Sequence, residues 1–280
     1  MRFRVVVSAL LGAVLLSSAL TGTAHAATSP QGANDWGCKP SAAHPRPVVL
    51  VHGTIENMAI NWVKISPVLK NNGYCVFALN YGGADEDAFI QATGDIAASA
   101  RQLSAFVDRV LAATGSSKVD LVGHSQGGMM PRYYLKFLGG GAKVNKLVAL
   151  VPSNHGTTLG GLVALGDLLG VTGIVTDACQ ACGQQIAGSD FLKNLNAGGE
   201  TVAGVKYTVI TTRYDEVVTP YTSAYLAGSG VRNILLQDAC PLDFSAHIGV
   251  ILDPVVQRMV LNELDGAASH RSINCLDPLG

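Results

Sequence analysis

The stretch that most constrains what this chain can fold into is Val119-Asp120-Leu121-Val122-Gly123-His124-Ser125-Gln126-Gly127-Gly128. A run of strand formers ends in Gly-His-Ser-Gln-Gly, and a helix-forming segment follows at once. G-x-S-x-G between a strand and a helix predicts a sharp turn with serine at its apex. Such a turn crowds the backbone two residues to either side of the serine. Gly123 and Gly127 omit the Cβ atoms that would collide there. The helix that follows aims its first N–H groups back at the serine, which suits a developing negative charge. A chain with 32 glycines can produce this pentapeptide by chance. The flanking elements, and the partner residues below, make Ser125 the candidate nucleophile.

Around this turn the sequence alternates. Continuous apolar runs at Pro47–Gly53, Tyr74–Tyr81, Lys118–Val122, Lys146–Val151, Tyr207–Thr212 and Val231–Leu236 predict strands buried on both faces. Helical spacing covers Ser66–Asn72, stopped by Gly73. It recurs over Asp95–Ala113, where Ile96, Leu103, Val107, Val110 and Leu111 form one face closed by Gly115. It recurs again at about Gln126–Leu138, broken by Gly139-Gly140-Gly141, and over Asp253–Leu264. Strand–helix alternation of this kind predicts an α/β fold, a mostly parallel sheet with helices on both faces. Residues 153–204 are Gly-rich and partly helical, and read as an insertion within one domain spanning 27–280.

Residues 1–26 have the layout of a secretory signal. Arg2 and Arg4 precede the apolar Val5–Leu20, and Ala24-His25-Ala26 supplies the cleavage pattern. The competing reading, a membrane anchor, is weakened by Ser8, Gly12, Ser17 and Ser18 within the apolar run. No other stretch reads as a membrane span. Behind such a signal, six cysteines predict disulfides. Six allow 15 connectivities, among which sequence does not choose. Pairing in chain order (Cys38–Cys75, Cys179–Cys182, Cys240–Cys275) is the expectation adopted. A redox or zinc half-site at Cys179-x-x-Cys182 is the alternative, and one such pair alone is weak evidence for it. Charged residues make up only 14% of the chain and the formal charge is −1, with no basic run, so nothing points to a nucleic-acid partner. A hydrophobic fraction of 48% and a mean hydropathy of +0.30 exclude a disordered chain.

A serine hydroxyl becomes a nucleophile only when a base takes its proton, and that base needs an orienting acid. On this scaffold the chain order is serine, acid, histidine. Asp215 stands just beyond the strand that follows the insertion, with Glu216 beside it as the alternative. His247 stands in the loop before the closing helix. Asp238 and Asp243 lie close to the histidine loop. His124 reads as a packed structural residue, His52 as a loop-fixing one, and His155 as a pocket-wall or hydrogen-bonding residue. His44 and His270 belong to the terminal arms. The oxyanion of an acyl transfer needs donors: the backbone N–H of Gln126, and that of Thr54 in the loop after the first strand. The Thr54 hydroxyl is a possible third.

These residues carry a family resemblance. Val51-His52-Gly53-Thr54, Gly123-His124-Ser125-Gln126-Gly127-Gly128, Ser153-Asn154-His155-Gly156-Thr157, Tyr214-Asp215 and the late His247 resemble secreted bacterial lipases of the α/β-hydrolase superfamily, the actinobacterial and Bacillus-type group above all. The resemblance covers nearly all of the chain beyond the signal. It implies a secreted carboxylic-ester hydrolase with Ser125, Asp215 and His247 as triad and no organic cofactor; a monomer is the expectation for its oligomeric state. Its substrates would be apolar esters such as acylglycerols, met at a lipid–water interface. Some lipases with this elbow hold a structural calcium, for which Asp243 and Asp253 are the nearest carboxylates, although no ligand cluster is evident. The apolar stretch 159–175 lies where such proteins carry a cap, with an ordinary core helix as the alternative. A short-chain esterase or polyester hydrolase shares the same chemistry. A non-catalytic secreted binding protein on the same scaffold is the competing class.

Overall fold

The computed structural model describes residues 28–170, 178–265, 270–276 and 278–279. The signal at 1–26 and the end of the apolar run at 159–175 lie outside the described residues.

Six strands, β1 (Val48–Val51), β2 (Val76–Leu79), β3 (Val119–His124), β4 (Val144–Leu150), β5 (Lys206–Thr211) and β6 (Val231–Leu235), form one sheet in the order β2-β1-β3-β4-β5-β6. Every pairing is parallel. Successive side chains on a strand alternate between faces, and both faces here are apolar. Val49, Val51, Phe77, Leu121 and Val209 point to one side. There they pack with Ile96, Leu103 and Val107 of helix α3 (Ile96–Thr114) and with Met129, Met130 and Tyr134 of α4 (Gln126–Phe137). Val48, Leu50, Val122, Val148 and Ile210 point to the other. They meet Ile65 and Leu69 of α2 (Ile65–Asn71) and Val256, Met259 and Val260 of α9 (Pro254–Asp265). The fully apolar strands are thus explained by burial on both sides.

Element ends follow local chemistry. Asp95 caps α3 by accepting from the Ala98 N–H at 2.7 Å, and Gly115 closes it at φ 73°. Helix α1 (Met58–Asn61) is too short for a periodic signal and escapes the sequence reading; Asn57 caps it by accepting from the Ala59 and Ile60 N–H groups. Strand β4 begins two residues before the expected start and stops at Leu150, because Val151 turns to φ 43°.

Between β4 and β5 lie α5 (Leu159–Leu168), α6 (Gln180–Gln185) and α7 (Asp190–Asn196). Leu162 of α5 and Cys182 of α6 form a small apolar cluster with Ile55, the residue after Thr54. The inserted segment therefore packs on the loop that follows β1. Cys38–Cys75, Cys179–Cys182 and Cys240–Cys275 are bonded, with Cα separations of 5.8, 5.2 and 5.7 Å. The chain-order pairing holds, and the CxxC is a disulfide. The first bridge fixes the N-terminal arm to the start of β2. The last ties the C-terminal tail to the end of α8 (Leu236–Ala239).

Candidate active site

All the loops that carry the expected residues leave the C-terminal ends of the parallel strands, where open α/β sheets form their sites. The turn after β3 has the geometry its glycines require. Ser125 sits at φ 53° and ψ −122°, a conformation that L-residues rarely adopt, and its N–H donates to the Leu150 carbonyl at 2.9 Å. A Cβ on Gly123 would run into the Gly127 carbonyl. One on Gly127 would run into the Val51 and His52 carbonyls.

His247 is fully buried. Its Nδ1 stands 3.0 and 3.1 Å from the two Asp215 oxygens, and its Nε2 is buried with no hydrogen-bond partner. The side chain of His124, next to the serine, holds the same loop: its Nε2 donates to the His247 carbonyl at 3.1 Å, with ring centroids 5.1 Å apart. The fold thus brings His247 and Asp215 into contact, and His124, the neighbour of Ser125, ties the histidine loop to the elbow. Asp215 is fixed in turn by the Val217 and Val218 N–H groups, which donate to its Oδ1 at 3.0 and 2.7 Å. Glu216 has a different place. Its carboxylate accepts from the His247 backbone N–H at 3.1 Å and does not meet the imidazole. Asp238 is exposed on α8.

Burial alone would lower the His247 pKa. The Asp215 charge and hydrogen bond, with Glu56 and Glu216 further off, more than reverse this and leave it above its ordinary value.

Thr54 and Gln126 meet through side chains. Gln126 Nε2 donates to Thr54 Oγ1 at 3.0 Å and to the Ala92 carbonyl at 2.9 Å. Gln185 of α6 donates from Nε2 to the same Thr54 oxygen at 2.9 Å and to the Ala181 carbonyl at 3.2 Å, while its Oε1 accepts from Ser153 Oγ at 2.8 Å. The carbonyl contacts fix both amides with NH2 toward Thr54. Two lone pairs of the threonine oxygen are therefore used, and its proton is free to point elsewhere. Gln185 was not foreseen; its only signal was a polar residue within the inserted segment.

Of the other histidines, His52 stacks on Tyr81 with centroids 4.3 Å apart, and its Nδ1 lies 2.8 Å from the Gly53 carbonyl. Burial lowers its pKa to about 4. His155 is exposed and bridges the Ser223 carbonyl and Glu200. Near the histidine loop, burial and the adjacent Asp243 raise Asp253 to about 6. Among the described residues no group of three or more His, Cys, Asp or Glu is arranged to hold a metal.

The family model "Lipase (class 2)" matches residues 45–259. The chain belongs to the class 2 lipase family. A triacylglycerol lipase of Pseudarthrobacter phenanthrenivorans is 40% identical over 97 residues, 33% of this chain and 28% of that protein. One of Burkholderia plantarii is 40% identical over 33% of this chain and 25% of its own length. The chain thus matches only about a quarter of the length of these curated relatives. Lipase B of Pseudozyma antarctica aligns more widely, at 26% identity over 92% of this chain and 75% of that protein. Among solved structures, Aspergillus fumigatus lipase B superposes with a TM-score of 0.69 at 24% identity, covering 85% of this chain and 56% of the other. A mature Bacillus licheniformis lipase gives 0.61 at 18%, covering 80% and 94%. These neighbours establish for this class 2 family member the α/β-hydrolase fold.

Proposed function

We propose that the protein is a secreted serine hydrolase of carboxylic esters with apolar acyl groups, acting through Ser125, His247 and Asp215. The observation that carries this is the His247 imidazole. One nitrogen is held by Asp215, the other is buried and unpartnered, and the same residue's carbonyl is bonded to His124, the neighbour of a serine strained into an elbow. Asp215 fixes the tautomer with Nδ1–H, leaving Nε2 as the base. Ser125 Oγ attacks the acyl carbonyl as its proton passes to Nε2. The oxyanion is held by the N–H groups of Thr54 and Gln126, with the Thr54 hydroxyl, its lone pairs already engaged, as a third donor. The imidazolium then protonates the leaving alcohol, and an acyl-serine remains. Water, deprotonated by Nε2, attacks that ester; the acid departs and Ser125 recovers its proton.

Several observations support an apolar substrate. Leu159 and Leu168 of α5 are 57% and 55% exposed, while Leu162 and Leu165 of the same helix are buried beneath them. Tyr214 and Phe244, on the acid and histidine loops, meet at a tilt with centroids 5.2 Å apart and are also exposed. Three disulfides suit an oxidising compartment. Among the described residues, no helix is long and apolar enough to cross a membrane.

The test is labelling of folded protein by a serine-directed phosphonate, followed by rates on p-nitrophenyl esters of increasing acyl length. Label on Ser125 and rates that rise beyond butyrate are expected. Folded protein that takes no label would favour the non-catalytic binding reading. Rates that peak at acetate would favour a short-chain esterase.

A further inference from the structure

Behind Ser125 lies a second carboxylate–imidazole pair that the proposed reaction does not use. Glu56 and His124 are each 1% exposed at the side chain, and His124 Nδ1 stands 2.9 Å from Glu56 Oε2. The same carboxylate oxygen accepts from the Gly53 N–H at 3.1 Å. Asn61 Oδ1 lies 3.3 Å from His124 Nδ1 and accepts from the Gly53 N–H at 2.8 Å, which fixes the orientation of its amide. On the far side of the ring, Nε2 faces the His247 carbonyl at 3.1 Å. Every partner of the ring is thus an oxygen acceptor: a carboxylate, an amide carbonyl and a peptide carbonyl. A neutral imidazole has one N–H and can satisfy only one side; an imidazolium satisfies both.

We propose that Glu56 and His124 form a permanently charged carboxylate–imidazolium pair that positions the oxyanion loop, the elbow and the histidine loop on one another. This deepens the ester-hydrolase reading and rests on it. The pair reaches all three: Gly53 precedes Thr54, His124 precedes Ser125, and the His247 carbonyl belongs to the residue whose ring must meet the serine. Neither residue touches the reacting atoms; both are positioning residues. The electrostatics agree. Burial would raise the Glu56 pKa, but His124, by charge and hydrogen bond, leads the opposing groups that hold Glu56 below its ordinary value. The other titratable groups facing the pair are few. His52, lowered to about 4, is neutral above that pH, and Tyr81, whose hydroxyl donates to the His52 carbonyl, is raised well above its ordinary value. His247 faces the pair with Asp215 and Glu216 beyond it.

Glu56→Gln separates this role from a packing role. A glutamine oxygen facing Gly53 N–H and His124 Nδ1 leaves His124 without a counter-charge. As pH rises the ring loses a proton, and either the bond to the His247 carbonyl or the bond to residue 56 fails. A packing defect would lower the rate by the same factor at every pH. The positioning role predicts that the wild-type to Glu56→Gln ratio of kcat, on a soluble short ester, grows on the order of tenfold or more between about pH 6 and about pH 9. KM should stay within roughly threefold. A constant ratio would overturn the proposal. If Glu56→Gln does not fold, the wild-type protein answers directly. Nitrogen-15 spectra of labelled histidine, with His124→Asn assigning the signal, should show both His124 nitrogens protonated throughout that range. An unprotonated nitrogen on His124 at neutral pH would overturn it. The spectra need no activity, so failure of phosphonate labelling at Ser125 would sink the hydrolase reading while leaving the charge state of the pair measured.

Discussion

The two ends of this sheet are built to opposite rules. At the N-terminal end, buried charge is matched. Asp120 accepts from Arg46 Nε at 3.2 Å and from Asn145 Nδ2 at 2.7 Å. Lys146 donates to the Glu263 carbonyl at 2.7 Å and to that of Leu264, closing the last turn of α9. At the C-terminal end, His52 Nε2, Asn61 Nδ2, Gln126 Oε1 and His247 Nε2 are buried without partners. Ser125, Ile55 and Val151 take positive φ there as well. Unmatched polar atoms and strained residues are concentrated around the proposed site, although Tyr134 Oη, beside Gly140 ahead of β4, is unmatched too.

The contrast is broken most severely by Ser125→Ala. Ester hydrolysis should fall on the order of a thousandfold or more, with a melting temperature at or above that of the wild type, as a calorimetric scan beside a rate assay would show. Turnover that survives would remove Ser125 from the reaction. Asp215→Asn should come close to the same loss through the wrong imidazole tautomer, whereas Glu216→Gln, touching only the His247 backbone, should stay within roughly tenfold. The reverse order of the two would make Glu216 the acid.

Acid separates the ends next. The acid limb of kcat/KM should lie above 6.5, because His247 must be neutral to act and its pKa is raised. Stability has its own window. The depressed His52 pKa means that the unfolded chain binds a proton below 6.5 that the folded protein refuses until about 4. Stability is therefore full above 6.5 and declines as pH falls toward 4, by about 3 kcal/mol. Urea titrations across that range should show this slope, and His52→Gln should flatten it. A wild-type protein equally stable at both pH values would refute the burial of a neutral His52.

At the matched end, Asp120→Ala should lower stability with unchanged kcat on a soluble ester. Burial keeps the Asp120 pKa raised despite Asn145, Arg46 and Lys146, so the net loss falls at the low end, about 1–2 kcal/mol. The smallest effect is expected in the inserted segment. Leu168→Asp, at a half-exposed position, should leave melting and acetate-ester rates alone. It should lower long-chain rates by roughly fivefold, a loss of little more than one buried methylene. Leu165→Asp should instead impair both substrates together with the fold.

The apolar layers were legible in the sequence, because uninterrupted runs such as Val48–Val51 leave little choice of environment; the polar contacts of Asp120 and Lys146 were not read there. Asp215 and His247, which meet in the structure, were picked out with Ser125 from spacing and chain order. The choice between Asp215 and Glu216 rested on position alone; the structure separates them by which part of His247 each one meets. Glu56 and Gln185 were not legible. Each acts across the fold, Glu56 on His124 68 positions away and Gln185 on Thr54 131 positions away. No local pattern reports a partner at that distance. Helix α1 was missed for the opposite reason, being shorter than any period.

The Gln185–Thr54 bond has a consequence for modularity. A segment set between two strands of a sheet looks like a cassette, open to replacement by one of another length or polarity to change which acyl chains enter. Here the cassette is wired to the machinery it shelters, because α6 supplies one of the two amides that aim the Thr54 hydroxyl. A graft across β4 and β5 would carry over the walls of the donor pocket and silence that amide unless it brought a donor to the same point. Exchange of specificity and retention of rate are therefore one design problem in this protein.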